Sequence, residues 1–79
     1  MIRERLACGH EVDIDVGTLV FNFYDIGFGR VVEVGDDAPL DGRWHRVRSE
    51  GATYWPAGRV TLLNAERLAC VPCGERRTR

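Results

Sequence analysis

The sequence predicts a small all-β fold, and three observations carry that expectation. Runs rich in β-branched and aromatic residues are short, Gly, Asp and Pro punctuate them at close intervals, and apolar spacing of helical period is almost absent. About six short strands are expected. In EVDIDV at 11–16, Val12, Ile14 and Val16 alternate with Glu11, Asp13 and Asp15, which gives one apolar and one acidic face before Gly17-Thr18 turns the chain. In LVFNFY at 19–24, Leu19, Phe21 and Phe23 oppose Val20, Asn22 and Tyr24, so both faces of that strand should be covered. DIGFG at 25–29 reads as a glycine-assisted turn, RVVEV at 30–34 as a strand, and GDDAPLDG at 35–42 as an acidic loop. RWHRVRS at 43–49 follows as a strand, EGA as a tight turn, and TYW at 53–55 as a return strand stopped by Pro56. The last apolar run is RVTLL at 59–63, and NAERLA at 64–69 is read as a single helical turn begun by Asn64 in preference to an extended segment.

A chain of 79 residues forms one domain and buries too little surface to dispense with a staple such as a metal, a disulfide or a partner. Hydrophobic residues at 44% and charged residues at 29% fit a folded globular protein and exclude a disordered one. No apolar run reaches membrane-spanning length, and MIRERLACGHEV mixes charge into the segment where a signal peptide requires an apolar core. A cytoplasmic location is therefore expected, where thiols stay reduced and three cysteines are better read as ligands or redox groups than as a disulfide framework. All eleven basic residues are arginine, and the formal net charge of −1 offers nucleic acid no global attraction.

The pentapeptide ERLAC occurs at residues 4–8 and again at 66–70. The first copy continues into Cys8-Gly9-His10 and the second into Cys70-Val71-Pro72-Cys73-Gly74, so the two ends offer C-x-H and C-x-x-C. Three thiolates and an imidazole form one of the standard closed ligand sets for structural zinc, and glycine within or beside each pair permits the sharp bend that converging ligands need. One zinc per chain, held by Cys8, His10, Cys70 and Cys73, is the expectation, with each ERLAC leading into one ligand pair and Leu6 and Leu68 covering opposite sides of the metal. A redox C-x-x-C is the competing reading, and it calls for a strand-to-helix junction that a β-rich chain is not expected to supply. His45 competes with His10 for the fourth position, but its place between Trp44 and Arg46 in a strand suits a packing or surface residue better.

RLACGHEV together with CVPCG resembles the small zinc-ribbon proteins of actinobacteria and their phages, in which a C-G-H knuckle is answered by a C-x-x-C-G knuckle. That resemblance covers the two ends and implies the same four ligands. The interior, with GFGRVVEV, DGRWHRVRSEG and LNAERL, is similar to small SH3-like barrels of the Tudor or KOW kind. Together the two imply a single domain over 1–79, with zinc knuckles at 1–12 and 64–75 closing a barrel at 13–63 and a flexible basic tail at 76–79.

Closing such a site gathers Arg3, Arg5, Arg67, Arg76, Arg77 and Arg79 at one pole, with Asp13, Asp15, Asp36, Asp37 and Asp41 away from it. The pole could hold phosphates, although a solvated surface with a frayed tail after Gly74 is the plainer reading. Alternation places Trp44, Arg46 and Arg48 on one strand face, and with Tyr54 and Trp55 they form a candidate partner surface unless the tryptophans are core. Four closing ligands leave no open metal position, so catalysis is not expected. The expected function is a zinc-stabilised interaction module for a protein partner, a host regulatory protein if the chain is phage-encoded; nucleic-acid binding through the arginine and aromatic residues is the alternative.

Overall fold

The computed structural model describes residues 2–77. Seven strands run through them: β1 Ile2–Arg5, β2 Glu11–Ile14, β3 Leu19–Asn22, β4 Gly27–Asp36, β5 Arg43–Ser49, β6 Val60–Asn64 and β7 Leu68–Ala69. A 3-10 turn, Ala65–Arg67, precedes β7, and one helix, α1, spans Val71–Arg77. β1 and β2 form an antiparallel hairpin, and the remaining strands make a curled antiparallel sheet, a half-barrel, in the order β6-β5-β4-β3-β7. A register shift between Val31 and Glu33 places a bulge in the long strand β4, the kind of irregularity that bends a sheet and increases its twist.

The core lies on the concave face. Val20, Val31, Val47 and Leu63 project from the sheet and meet Leu6, Ile14, Leu68 and Trp55 in one cluster. Trp55 is the largest fully buried side chain. Its ring lies against Gly29, where an added Cβ would come within 2.6 Å of the ring and 2.7 Å of the Arg48 carbonyl, so the second glycine of GFG is required by contact with both ring and backbone. The indole N–H donates to Thr61 Oγ1 at 2.9 Å and satisfies the ring's one polar atom.

The structure departs from the expected elements in several places. TYW at 53–55 is not a strand: Ala52 and Trp55 form an isolated bridge across a tight turn, because burying the Trp55 ring turns the chain inward just before Pro56, which lacks an N–H. β2 ends at Ile14, since Thr18 Oγ1 accepts from the Asp15 amide and starts the turn early; Val16 is left 64% exposed instead of joining the apolar face. β4 begins at Gly27, inside the segment read as a turn. The chain after Gly74 is not frayed, because α1 continues to Arg77, whose guanidinium sits 3.9 Å from the Phe23 ring; Thr78 and Arg79 lie outside the described residues. β1 covers the approach to the first ligand pair and pairs Arg3 with Asp13 and Arg5 with Glu11 across the hairpin. The turn at 65–67, by contrast, forms as anticipated after Asn64.

Both tryptophans are buried, which removes them from the candidate partner surface. Trp44 does share a face with Arg46 and Arg48, but its indole N–H donates to the Ala38 carbonyl at 2.9 Å and its ring covers Gly35, where a Cβ would lie 2.1 Å away. Arg46 completes the cover at 5.4 Å from the ring while donating to Glu33 at 2.7 Å. Arg48 is exposed, and Tyr54, at 78%, is the most exposed large apolar side chain among the described residues.

His45 is the polar centre of the core. It is fully buried, with Nδ1 at 2.9 Å from the Leu63 carbonyl and Nε2 at 2.5 Å from Glu4 Oε2. A carbonyl only accepts, so Nδ1 carries a proton and donates. The Nε2–Oε2 contact then holds a second proton, borne by one partner or the other. This pair ties β1 of the hairpin to β5 of the sheet.

Candidate metal centre

The first ligand pair is built by the β1–β2 connection. The Leu6 amide donates to the His10 carbonyl and the Gly9 amide to the Leu6 carbonyl, each at 2.9 Å, which folds Cys8-Gly9-His10 into a tight turn. Gly9 has φ +88°, a left-handed conformation that glycine adopts without steric penalty. The second pair is built at the end of β7. Cys70 precedes α1 and its carbonyl accepts from the Gly74 amide at 2.9 Å, the first helical bond. Pro72 sits in the first turn, where an amide proton has no intrahelical acceptor to lose. Cys73 follows one turn after Cys70. Gly74 is needed for space, since a Cβ there would lie 2.6 Å from Cβ of the fully buried Phe21.

The two ERLAC copies meet: the Ala7 amide donates to the Leu68 carbonyl at 2.8 Å. They do not share a conformation, since Glu4-Arg5 is strand and Glu66-Arg67 is 3-10 turn. What they share is the role of Leu-Ala-Cys. Leu6 and Leu68 both enter the main hydrophobic cluster, against which Cys8 and Cys70 pack, so they cover the sulfurs as part of the core and not as a separate lid on two sides of a metal.

Ligand atoms from Cys8, His10, Cys70 and Cys73 all lie within 4.8 Å of one another. Cys8 Sγ is 3.6 Å from Cys70 Sγ, and His10 Nδ1 is 3.5 Å from Cys70 Sγ and 3.4 Å from Cys73 Sγ. Zinc bonds of about 2.3 Å to sulfur and about 2.0–2.1 Å to nitrogen, at tetrahedral angles, separate two sulfurs by about 3.8 Å and sulfur from nitrogen by about 3.5–3.6 Å. These three separations are therefore close to edges of such a tetrahedron. They are far too long for a disulfide, and all three cysteines are free. The residues fit a four-coordinate metal ion with Nδ1 as the imidazole ligand.

Two of the sulfurs accept hydrogen bonds from nitrogen donors. The Cys70 amide donates to Cys8 Sγ at 3.5 Å, and Arg76 Nη2 donates to Cys73 Sγ at 3.3 Å. Burial pushes the Cys8 thiol up, but hydrogen bonds from the Cys70 and His10 backbones, and from their side chains, outweigh it and bring the thiol down to about 6. Burial also pushes Cys70 up, and the neighbouring Cys8 thiolate adds to that effect. Cys8 is thus ready to ligate at neutral pH, whereas Cys70 must release a proton to a metal. Three thiolates around a divalent cation leave one negative charge, which Arg76 is placed to offset.

The C-x-x-C does sit at a strand-to-helix junction, β7 to α1, contrary to the expectation that none would be available. What separates it from a redox dithiol is the company of Cys8 and His10 within ligand distance. His45 is no ligand: both its nitrogens are engaged in the core, and the metal-competent cluster contains His10. Replacing His10 with Ala should therefore cut metal retention sharply, while His45→Ala should leave metal affinity in place. The latter variant should lose about 3–5 kcal/mol of stability, because it strands Glu4 in a nearly buried position without its partner. Metal analysis of both variants alongside denaturant titration checks the split; equal metal loss would contradict it.

The gathered arginines are mostly engaged. Arg3 pairs with Asp13 at 3.4 Å and Arg5 with Glu11 at 2.9 Å, so Asp13 stands beside this pole and not away from it. Arg67 lies 4.7 Å from the Tyr24 ring and Arg77 3.9 Å from the Phe23 ring. Phe23 and Tyr24 lie outside β3, Phe23 half-buried and Tyr24 exposed; the signal was Asn22, whose side-chain oxygen accepts from the Tyr24 and Asp25 amides and ends β3 early.

No protein-family model, curated protein or solved structure matches this chain.

Proposed function

We propose that the protein is a zinc-stabilised, non-catalytic interaction module whose metal is structural. The observation that supports this best is the convergence of the Cys8, His10, Cys70 and Cys73 ligand atoms within 4.8 Å of one another, three of their separations being 3.4–3.6 Å. Four protein ligands close the coordination shell, and a closed shell leaves no position for substrate or activated water. The zinc joins the β1–β2 turn to the β7–α1 junction and frees the remaining surface for a partner. Protein is the preferred partner class: the arginines near the metal are paired or stacked on aromatic rings, and both tryptophans that would have stacked on bases are core.

Two measurements test the reading. Metal analysis of protein purified without chelators should find one equivalent of zinc per chain, and a folded sample well below one equivalent would defeat it. Fluorescence anisotropy with single- and double-stranded DNA and RNA should show little binding at physiological salt. Tight binding with a steep salt slope that flattens when Arg46 and Arg48 are neutralised would move the function to nucleic acid.

A further inference from the structure

We propose that β6 is a dimerisation edge, pairing antiparallel with β6 of a second copy about a two-fold axis at Leu62. β6 is an outer strand of the five-stranded sheet, and no other strand among the described residues pairs with its free side. Its backbone is set for pairing. The Ser49 amide donates to the Arg59 carbonyl at 2.8 Å and the Ser49 carbonyl accepts from the Gly58 amide at 2.9 Å, so the Arg59 carbonyl faces β5. In the same register Val47 faces Thr61 and His45 faces Leu63, so these pairs bond across the β5–β6 ladder. The alternate residues Val60 and Leu62 consequently direct their N–H and C=O groups away from β5, to the open edge, as Asn64 does its N–H, while its carbonyl opens the 3-10 turn.

The edge also lacks the devices that usually block such pairing. VTLLN contains no charge and no proline, and Val60 is 44% exposed. A second copy is favoured over an unrelated peptide by the placement of charge. Placing Leu62 opposite its own counterpart makes that residue a hydrogen-bonded pair, sets the Asn64 amide of each copy against the Val60 carbonyl of the other, and keeps the core faces of both sheets on the same side. That register brings Arg59 of each copy alongside the Ala65-Glu66 segment of the other. Arg59 and Glu66 have no ion pair within the chain among the described residues, so each finds its complement only across the axis. The result is a continuous ten-stranded antiparallel sheet from two five-stranded ones. This inference is independent of the metal reading.

Sedimentation velocity on the zinc-loaded protein, with zinc content measured on the same sample, tests it across the micromolar range. A concentration-dependent dimer is expected. Leu62→Pro removes an outward amide that β5 does not use, so the variant should keep the wild-type circular dichroism and zinc content while its dimer dissociation constant rises at least about tenfold. Arg59→Glu should also weaken the dimer, and Arg59→Glu with Glu66→Arg should restore it, a rescue that a purely structural role for either residue would not give. A wild-type protein that remains monomeric at every concentration, or a dimer that Leu62→Pro leaves unchanged in a folded sample, would overturn the proposal.

Discussion

Removing the metal with a strong chelator will unfold the protein, and restoring zinc will refold it. The β1–β2 hairpin is not hydrogen-bonded into the main sheet as a strand; it is joined there by the Ala7–Leu68 bond, the His45–Glu4 pair, the core contacts of Leu6 and Ile14, and the metal ligands. β7, which carries the other ligand pair, is only two residues long. A structural zinc site contributes on the order of 10–16 kcal/mol of apparent binding free energy at neutral pH. Native domains are stable by about 5–15 kcal/mol, and one of 79 residues falls towards the lower end. Losing a term of that size leaves no net stability. Far-ultraviolet circular dichroism during titration with chelator, followed by zinc back-titration, measures this directly. A chain shown by native mass spectrometry to be metal-free and yet retaining its β signal and cooperative melt would refute the structural role.

The ligand set was legible in the sequence because it rests on short spacing: C-x-H and C-x-x-C bring their residues together locally, Gly9 marking the tight turn of the first pair and Gly74 making room for the second against Phe21. The strand pattern was legible where alternation was clean, as in 43–49, whose residues form β5 without adjustment. It failed where a single side chain reached out of its own element. Thr18 ended β2 before Val16, Asn22 ended β3 before Phe23, and Trp55 turned TYW into the core. The helix after Cys70 carried no readable periodicity, because seven residues containing Pro and Gly are too few to display one, and it is Phe21 beneath Gly74 that gives the segment something to pack on. The fate of His45 was the least legible: its buried partner, Glu4, lies in the opening strand, far away in sequence and unrelated by any motif.

Trp55→Ala is expected to have the second largest effect, because the ring fills the middle of the concave face and no neighbour can take its place. Trp55 is 1% exposed, and glycine at position 29 has left room for its ring directly over the strand backbone. Truncation would remove the transfer free energy of the largest core side chain and open a cavity beside Val47, and changes of this kind cost about 3–5 kcal/mol. It would also deprive Thr61 Oγ1 of its donor and loosen the Ala52–Trp55 turn whose position the ring sets. In a domain of this size the loss approaches the whole net stability, even with the metal in place. Urea titration in excess zinc should show Trp55→Ala mostly unfolded, or folded with a transition shifted far to low denaturant. Trp55→Phe keeps an aromatic body but gives up the indole N–H and part of the volume, so it should fall between, with Thr61→Val measuring the hydrogen bond alone at about 1–2 kcal/mol. A Trp55→Ala protein with wild-type stability would mean that the concave face is not the core, and the half-barrel described here would have to be redrawn.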